Sequence, residues 1–531
     1  MTALNQFAQD MSNRLIIIGA GLAGIVAACA AQQEGVEVVL VDRSGIGLGS
    51  NTAMSNGRFT GPTDAYSVDN YICDTLHLGK MINHRPTVEK TAHKALEAFR
   101  FFRSMGIEFQ ENVDHYFNKV KRLDVQRGAS MARQLAGYVK TLKNIKTLSG
   151  FYVTEILQDG KQAVGIRGIT KGGETVSIFS PSIILAAGGA GAIYLWNDNQ
   201  KSAMGQGYYL AVQTGLSLWD MEFVQFYPVV IAEPRLPAMM IYPPYPKTVG
   251  LINATGKDLL KKYGVTDVND AMRKRRDSLS QILYAEGLNE TVYMDLRNVS
   301  SSDWNSTSLN MLKKMKFDFH KNPVQISPGA HFFMGGLRTN KFNQTDLKGL
   351  YACGEMCWGF HGANRLGGNA LTECLVSGMV AGRHAADYLR SRQPASFEIH
   401  TETKRISDAS HGLSVYRSFK KQIHEIAWAH AGIIREETGL KHGLQKISEL
   451  EDRLWSTTNE TIEKKRKNDL MGAVFVLKAI LTASLARNES RGAFVRREYP
   501  LGDNIEWRKN SCLKYNSQAK EFSVSHHDAV V

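Results

Sequence analysis

Four consecutive apolar residues, Leu15 to Ile18, begin the first clear pattern in the chain. A run that is apolar at every position, rather than every second one, suits a strand covered on both faces of a parallel sheet. Gly19, Gly21 and Gly24 interrupt it, and an alanine-rich stretch then predicts a helix over roughly residues 22–34. Val36 to Val41 read as a second strand, closed by Asp42. A buried strand running into glycines returns at Ile183 to Tyr194, and again before Gly354 and Glu355. Strands and helices in this alternation predict an α/β fold with a Rossmann-like sheet. Toward the C-terminus the period lengthens, and ISELEDRLW and LMGAVFVLKAILTASL carry apolar residues at helical spacing. Leu15 to Ala31 approaches the length of a membrane span but is broken by its glycines, and in residues 470–487, apolar too, Lys478 and the amphipathic spacing favour a packed helix, so no transmembrane segment is expected.

A chain of 531 residues is too long for one core and predicts several domains. Its 43% hydrophobic and 22% charged content is that of a globular protein, which excludes a disordered or fibrous one. Six thinly spread cysteines suit reduced thiols in a cytoplasm better than a disulfide framework. Cys353 and Cys357 are a single pair, too few to hold an iron–sulfur cluster, and no metal site is expected. The first residues lack the apolar core of a signal peptide, which also points to a cytoplasmic location. The formal charge of +13 suits solvated helix faces, anionic substrates or an acidic electron-transfer partner. Basic residues are not interleaved with aromatics in a nucleic-acid module, so no nucleic-acid partner is expected. The densest basic runs are Arg273 to Arg276 and Lys464 to Lys467, the second expected on an exposed helix.

The strand, glycines, helix, strand and acid of residues 14–44 together form a dinucleotide fingerprint. Gly19 permits a tight turn, Ala20 and Gly21 let backbone approach a pyrophosphate, and Gly24 lets helix pack on strand. The helix amides would face the phosphates, and Asp42 would accept from a ribose. Ala187, Gly188 and Gly189 form a second glycine turn, and Glu355 ends a third strand where a carboxylate meets ribityl or ribose hydroxyls. Three separated nucleotide-contacting segments suit an extended FAD, whereas NAD would need only the first.

Further motifs appear in order along the chain: Ser50-Asn51-Thr52, DMEFVQFYPVV from Asp220, Arg276-Asp277, HFFMGG from His331 and HGANRLGGNAL from His361. With ARNESRGAFVRREYP near the end, this series resembles the flavoprotein subunits of succinate dehydrogenase and fumarate reductase and the related L-aspartate oxidases. The resemblance covers residues 14–510. It implies a Rossmann-like FAD-binding domain at 12–225 and 325–388, an inserted α+β capping domain at 226–324, and a C-terminal helical domain at 389–531. It also implies FAD contacts at Ser50, Asn51, Thr52, Gly57, Asn369 and Leu371.

The reaction so implied is hydride transfer between flavin N5 and a carbon beside a carboxylate. Such a step needs a dry flavin face, a clamped carboxylate and a proton donor. An arginine fork suits the clamp. Arg365 and His331 match the carboxylate-holding residues, and Arg276 matches the proton-shuttling arginine. His361 either binds or only orders its loop. Electrons would pass through a separate iron–sulfur or ferredoxin-like subunit, which would place the protein in the cytoplasm or peripherally at an inner membrane.

The sequence departs from the family at several points. Tyr227 replaces a histidine and is expected to donate a hydrogen bond to a carboxylate. YPPYPKTVG, from Tyr242, replaces a Thr-Glu-Gly segment and suggests a rigid, reshaped cap loop. Asn51 stands where respiratory enzymes have a flavin-linked histidine, so FAD is expected to be noncovalent. Arg58 replaces a glycine and reads equally as an anion anchor or an outward-facing charge. Val125 to Leu135 lacks the glutamate of the aspartate oxidases. An enoate or fumarate–succinate oxidoreductase therefore leads. The alternatives are an L-aspartate oxidase and a flavin-containing RNA-binding or non-catalytic subunit.

Overall fold

The apolar strands align side by side in one five-stranded parallel sheet. Its order is Leu350–Ala352, Ile183–Leu185, Leu15–Ile18, Val38–Asp42 and Ile145–Ser149. The computed structural model describes residues 3–120, 126–234, 236–300, 302–304, 306–392, 401–402, 412–458 and 461–530. Leu15–Ile18 is buried along its whole length, with the neighbouring strands pairing on both its edges. The second strand runs two residues later than its apolar run suggests, because Asp42 still pairs with Ser149. Helix Leu22–Gln33 returns across the sheet and lies against helix Asn369–Arg390. Gly24 is required there, since a Cβ would stand 1.9 Å from Gly19 O.

The cap is an antiparallel sheet in the order Val224–Ile231, Val324–Phe333, Val292–Asp295 and Gly250–Asn253. Helix Arg276–Gly287 packs on its first strand, where Ser280 donates to Phe226 O. The two long cap strands cross the sequence-derived limits near 225 and 324, so they are continuous with the nucleotide domain.

Three helices, Leu413–His430, Glu437–Ser456 and Lys464–Ala486, follow. The limit near 388 adjoins residues 393–400, which lie outside the described ones. Lys464–Ala486 is long and apolar enough to cross a membrane, but 83% of its most apolar window is buried in the protein. Lys478 is part of that burial, donating to Glu451 at 2.6 Å. The run Lys464 to Lys467 is half-buried rather than exposed, because it starts this internal helix. The C-terminal region is also not purely helical. Its last segment is a hairpin, Lys509–Asn516 with Glu521–Asp528, whose first strand pairs with Leu218–Trp219. Sparse apolar alternation in this hairpin hid it behind the strong helical periods upstream.

A fully buried ion cluster joins hairpin and helices to the nucleotide domain. Arg487 donates to Glu222 at 2.7 Å and to Glu489 at 2.9 Å, and Arg491 donates to Glu489 at 2.7 Å. Asp220 accepts from Trp358, Asn510 and the Ser511 amide, and burial beside Glu222 pushes its carboxyl up to about 7.

Candidate active site

One cavity of about 860 Å³ runs from the first glycine turn to the cap. Its nucleotide end is lined by Gly19, Ala20, Gly21, Asp42, Ser50, Asn51, Thr52, Ala187, Gly188, Gly189, Glu355 and Leu371. Gly21 begins the helix with no side-chain cap of its own; Thr52 Oγ1 accepts from the Leu22 amide, and the terminus otherwise offers amides to an anion. Gly188 has φ +75°, and open space lies where its Cβ would stand. Asp42 holds the turn, accepting from the amides of Ala20 and Ser44. Asn51 is fixed by its side chain, which donates to Asn199 and accepts from the Gln200 amide. Glu355 accepts from the Phe333 amide at 3.2 Å, and burial pushes its carboxyl up to about 7.

The glycine-walled groove, the helix terminus and the acid at the second strand fit FAD. Those residues would hold it, and it would supply two-electron chemistry at the cap end of the cavity.

Three expected cofactor contacts lie off the cavity wall. Gly24 packs helix on strand, Gly57 packs beside Asn118, and Asn369 is buried between Tyr71 and Thr75. The side chain of Asn369 thus orients the helix that begins there, and Leu371 reaches the cavity instead.

At the cap end, Arg276, His331 and Arg365 line the wall together. A register shift places them. Gln225 pairs with Phe332 and Phe226 with Ala330, so His331 is the extra residue of a β-bulge. A bulge re-aims the side chain it carries, and His331 faces the cavity with Nδ1 2.8 Å from Asp198 Oδ2. Burial holds its pKa below the ordinary histidine value, against the opposing pull of Asp198. With Asp198 accepting from Nδ1, Nε2 remains free to meet a ligand.

Arg365 comes from the buried loop between Gly359 and Gly368, over the Phe332 ring at 4.7 Å. Its Nε donates to Gln225 Oε1 at 3.1 Å. Gln225 also donates to Asn364 Oδ1 and to Arg365 O. Asn364 in turn donates to Asp277 at 2.6 Å. Burial, then the neighbouring Arg276, lower the pKa of Arg365. Arg276 is the first residue of its helix and donates weakly to Arg365 O at 3.2 Å. Its Nε is buried and 3.9 Å from Asp277, too far for a hydrogen bond. Two guanidiniums and an imidazole thus converge with spare donors, an arrangement suited to a carboxylate.

Tyr227 lines the cavity, with its ring 5.8 Å from that of His331 and 6.2 Å from that of Tyr242. His361 does not line the cavity; its Nε2 lies 2.9 Å from Glu373 Oε2, which orders the loop. Arg58 does line it, and pairs with Asp114 at 3.5 Å. The residues not expected from sequence are Asp198, Gln225 and Asn364. Gln225 and Asn364 stand inside the motif strings, whereas Asp198 lies 133 positions from its partner and carries no local signal.

Nucleotide groove, cation cluster and cap together define a flavoprotein oxidoreductase. The chain belongs to the FAD binding domain family, whose model matches residues 14–371. A second model, fumarate reductase flavoprotein C-term, matches residues 420–531. The chain is 29% identical to an L-aspartate oxidase of Pyrococcus horikoshii over 92% of this chain and 97% of that protein. It is 28% identical to a fumarate reductase (CoM/CoB) chain of Methanothermobacter marburgensis, over 94% and 96%. In fold it matches a variant of E. coli quinol fumarate reductase FrdA at a TM-score of 0.84, with 24% identity covering 98% and 97% of the chains. It is thus an FAD-dependent oxidoreductase of the fumarate reductase and L-aspartate oxidase family.

Proposed function

We propose that the protein reduces the carbon–carbon double bond of a carboxylate. The observation that carries this reading is the convergence of Arg276, His331 and Arg365 on one point of the FAD cavity. Arg365 and His331 hold the carboxylate oxygens, drawing charge from the double bond and exposing its far carbon to hydride. Arg276 passes the proton to the near carbon. The noncovalent FAD is reduced by a separate iron–sulfur or ferredoxin-like protein, in the cytoplasm or at the inner face of a membrane. Among the described residues no cluster of metal-ligating side chains occurs.

Oxidation of L-aspartate is the second reading, supported by the whole-length likeness to proteins of that name. The described carboxylates lining the cavity are Asp42, Asp198 and Glu355, and Asp198, beside His331, is the one placed to meet an α-ammonium at the cation cluster.

The test is anaerobic. The FAD protein is photoreduced and mixed with fumarate, crotonate and cinnamate while flavin absorbance is followed. Saturable reoxidation by any of them supports the reading. Reoxidation by air alone, together with flavin reduction by L-aspartate, would overturn it in favour of the oxidase.

A further inference from the structure

Resting on that reading, we infer that the substrate is a monocarboxylate carrying a flat apolar group, not a dicarboxylate. The inference comes from what the cap brings to the cavity. Residues 226–324 contribute Tyr227, Met239, Met240, Tyr242, Met272 and Trp304, with Pro243, Pro244 and the segment Ser306–Ser308. Among the described residues of that segment, Arg276 is the one charged side chain on the wall.

The clamp is single. Arg365 and Arg276 act on one another and both act on His331, so the three form one positive site. From it an aromatic line leads away: the His331 and Tyr227 rings lie 5.8 Å apart, and Tyr227 and Tyr242 6.2 Å apart. Of the serines on this wall, Ser308 donates to Met240 O and Ser306 accepts from the Leu309 amide.

Arg58 and Arg127 also line the cavity, where Arg58 pairs with Asp114 at 3.5 Å and Arg127 lies 4.6 Å over the Phe117 ring. A second carboxylate set against methionine, tyrosine and tryptophan would lose water without gaining a partner. A phenyl or branched alkyl group there gains apolar contact and ring stacking, and methionines adapt to its shape. The chemistry stays balanced: the double bond takes up hydride and a proton, and reduced FAD is oxidised.

The experiment compares 3-phenylpropanoate with succinate as ligands of the oxidised holoprotein, read by the flavin difference spectrum. It then compares cinnamate with fumarate as oxidants of the photoreduced form. Phenylpropanoate binding at least tenfold tighter than succinate, with cinnamate ahead in kcat/KM by a similar factor, is expected. Equal or tighter succinate binding overturns the inference, even if fumarate turnover supports the enoate reading. If no enoate reoxidises the flavin, the binding ratio alone decides the pocket's preference, and only the reaction assigned above fails. Met240→Lys, or Met272→Lys should the first fold poorly, is expected to reverse the binding ratio. An unchanged ratio in a variant that retains FAD counts against this wall as the contact surface.

Discussion

Gln225 touches no cavity surface, yet it determines where Arg365 points. Its side chain is completely buried and makes three hydrogen bonds: to Asn364, to Arg365 O and from Arg365 Nε. Gln225→Leu keeps the volume and removes all three. Each neutral bond contributes about 1 kcal/mol and the guanidinium bond about 1.5–3 kcal/mol, so the loss is roughly 3–5 kcal/mol. The loop itself is fixed by its burial and by the His361–Glu373 contact, so the remaining freedom falls on the guanidinium. A clamp displaced by about 1 Å costs on the order of 10²-fold in rate. The variant is therefore expected to bind FAD normally and to lose about a hundredfold in kcat/KM for the preferred enoate. Stopped-flow reoxidation with parallel measurement of flavin content checks this. A kcat/KM within threefold of the parent, in folded protein, would refute the idea that this amide aims the clamp.

Other expectations are briefer. Acid precipitation should release all flavin into the supernatant, because Asn51 offers no nucleophile to it; flavin retained in the pellet would contradict this. Gly188→Val should abolish FAD binding with circular dichroism unchanged, since its side chain enters the cavity from a left-handed backbone position costing about 1–2 kcal/mol for other residues. Carboxylate ligands should bind more tightly as pH falls below the ordinary histidine value of about 6.5, because His331 has a lowered pKa and gains charge only there. His331→Asn should flatten that dependence in spectral titrations. The same lowered pKa makes folding less favourable at acid pH, where the unfolded chain takes up the proton first. Arg487→Met leaves Glu222 without a cation in the interior, while Glu489 keeps Arg491, and should destabilise the protein by about 3–5 kcal/mol, read as a lower denaturant midpoint.

The nucleotide half was readable because its physics is local. A run of four apolar residues, three glycines and an acid specify strand, turn and helix within thirty residues or so, and the structure moves their limits by only one or two positions. Arg276, His331 and Arg365 were legible through the strings that carry them, and they do share one wall. The geometry that joins them was not. The bulge at His331 depends on a register between strands a hundred residues apart, and Asp198 enters from a loop with no pattern of its own. Tyr227 was legible through the same kind of string, and it lines that wall with its ring between those of His331 and Tyr242. Asn369 lies off the cavity wall because Tyr71 and Thr75 claim its side-chain amide from a helix three hundred positions earlier.

The order of strands in the parallel sheet has a consequence for how the protein is made. The strand at one edge is Leu350–Ala352, and Ile183–Leu185 lies between it and Leu15–Ile18. A ribosome adding about 5–20 residues per second needs roughly 20–70 s to deliver that edge. During this interval, strands apolar on both faces wait for the helix at Asn369–Arg390 that will cover them. FAD has no finished groove to enter until Glu355 and Leu371 have been made, with translation about two-thirds complete.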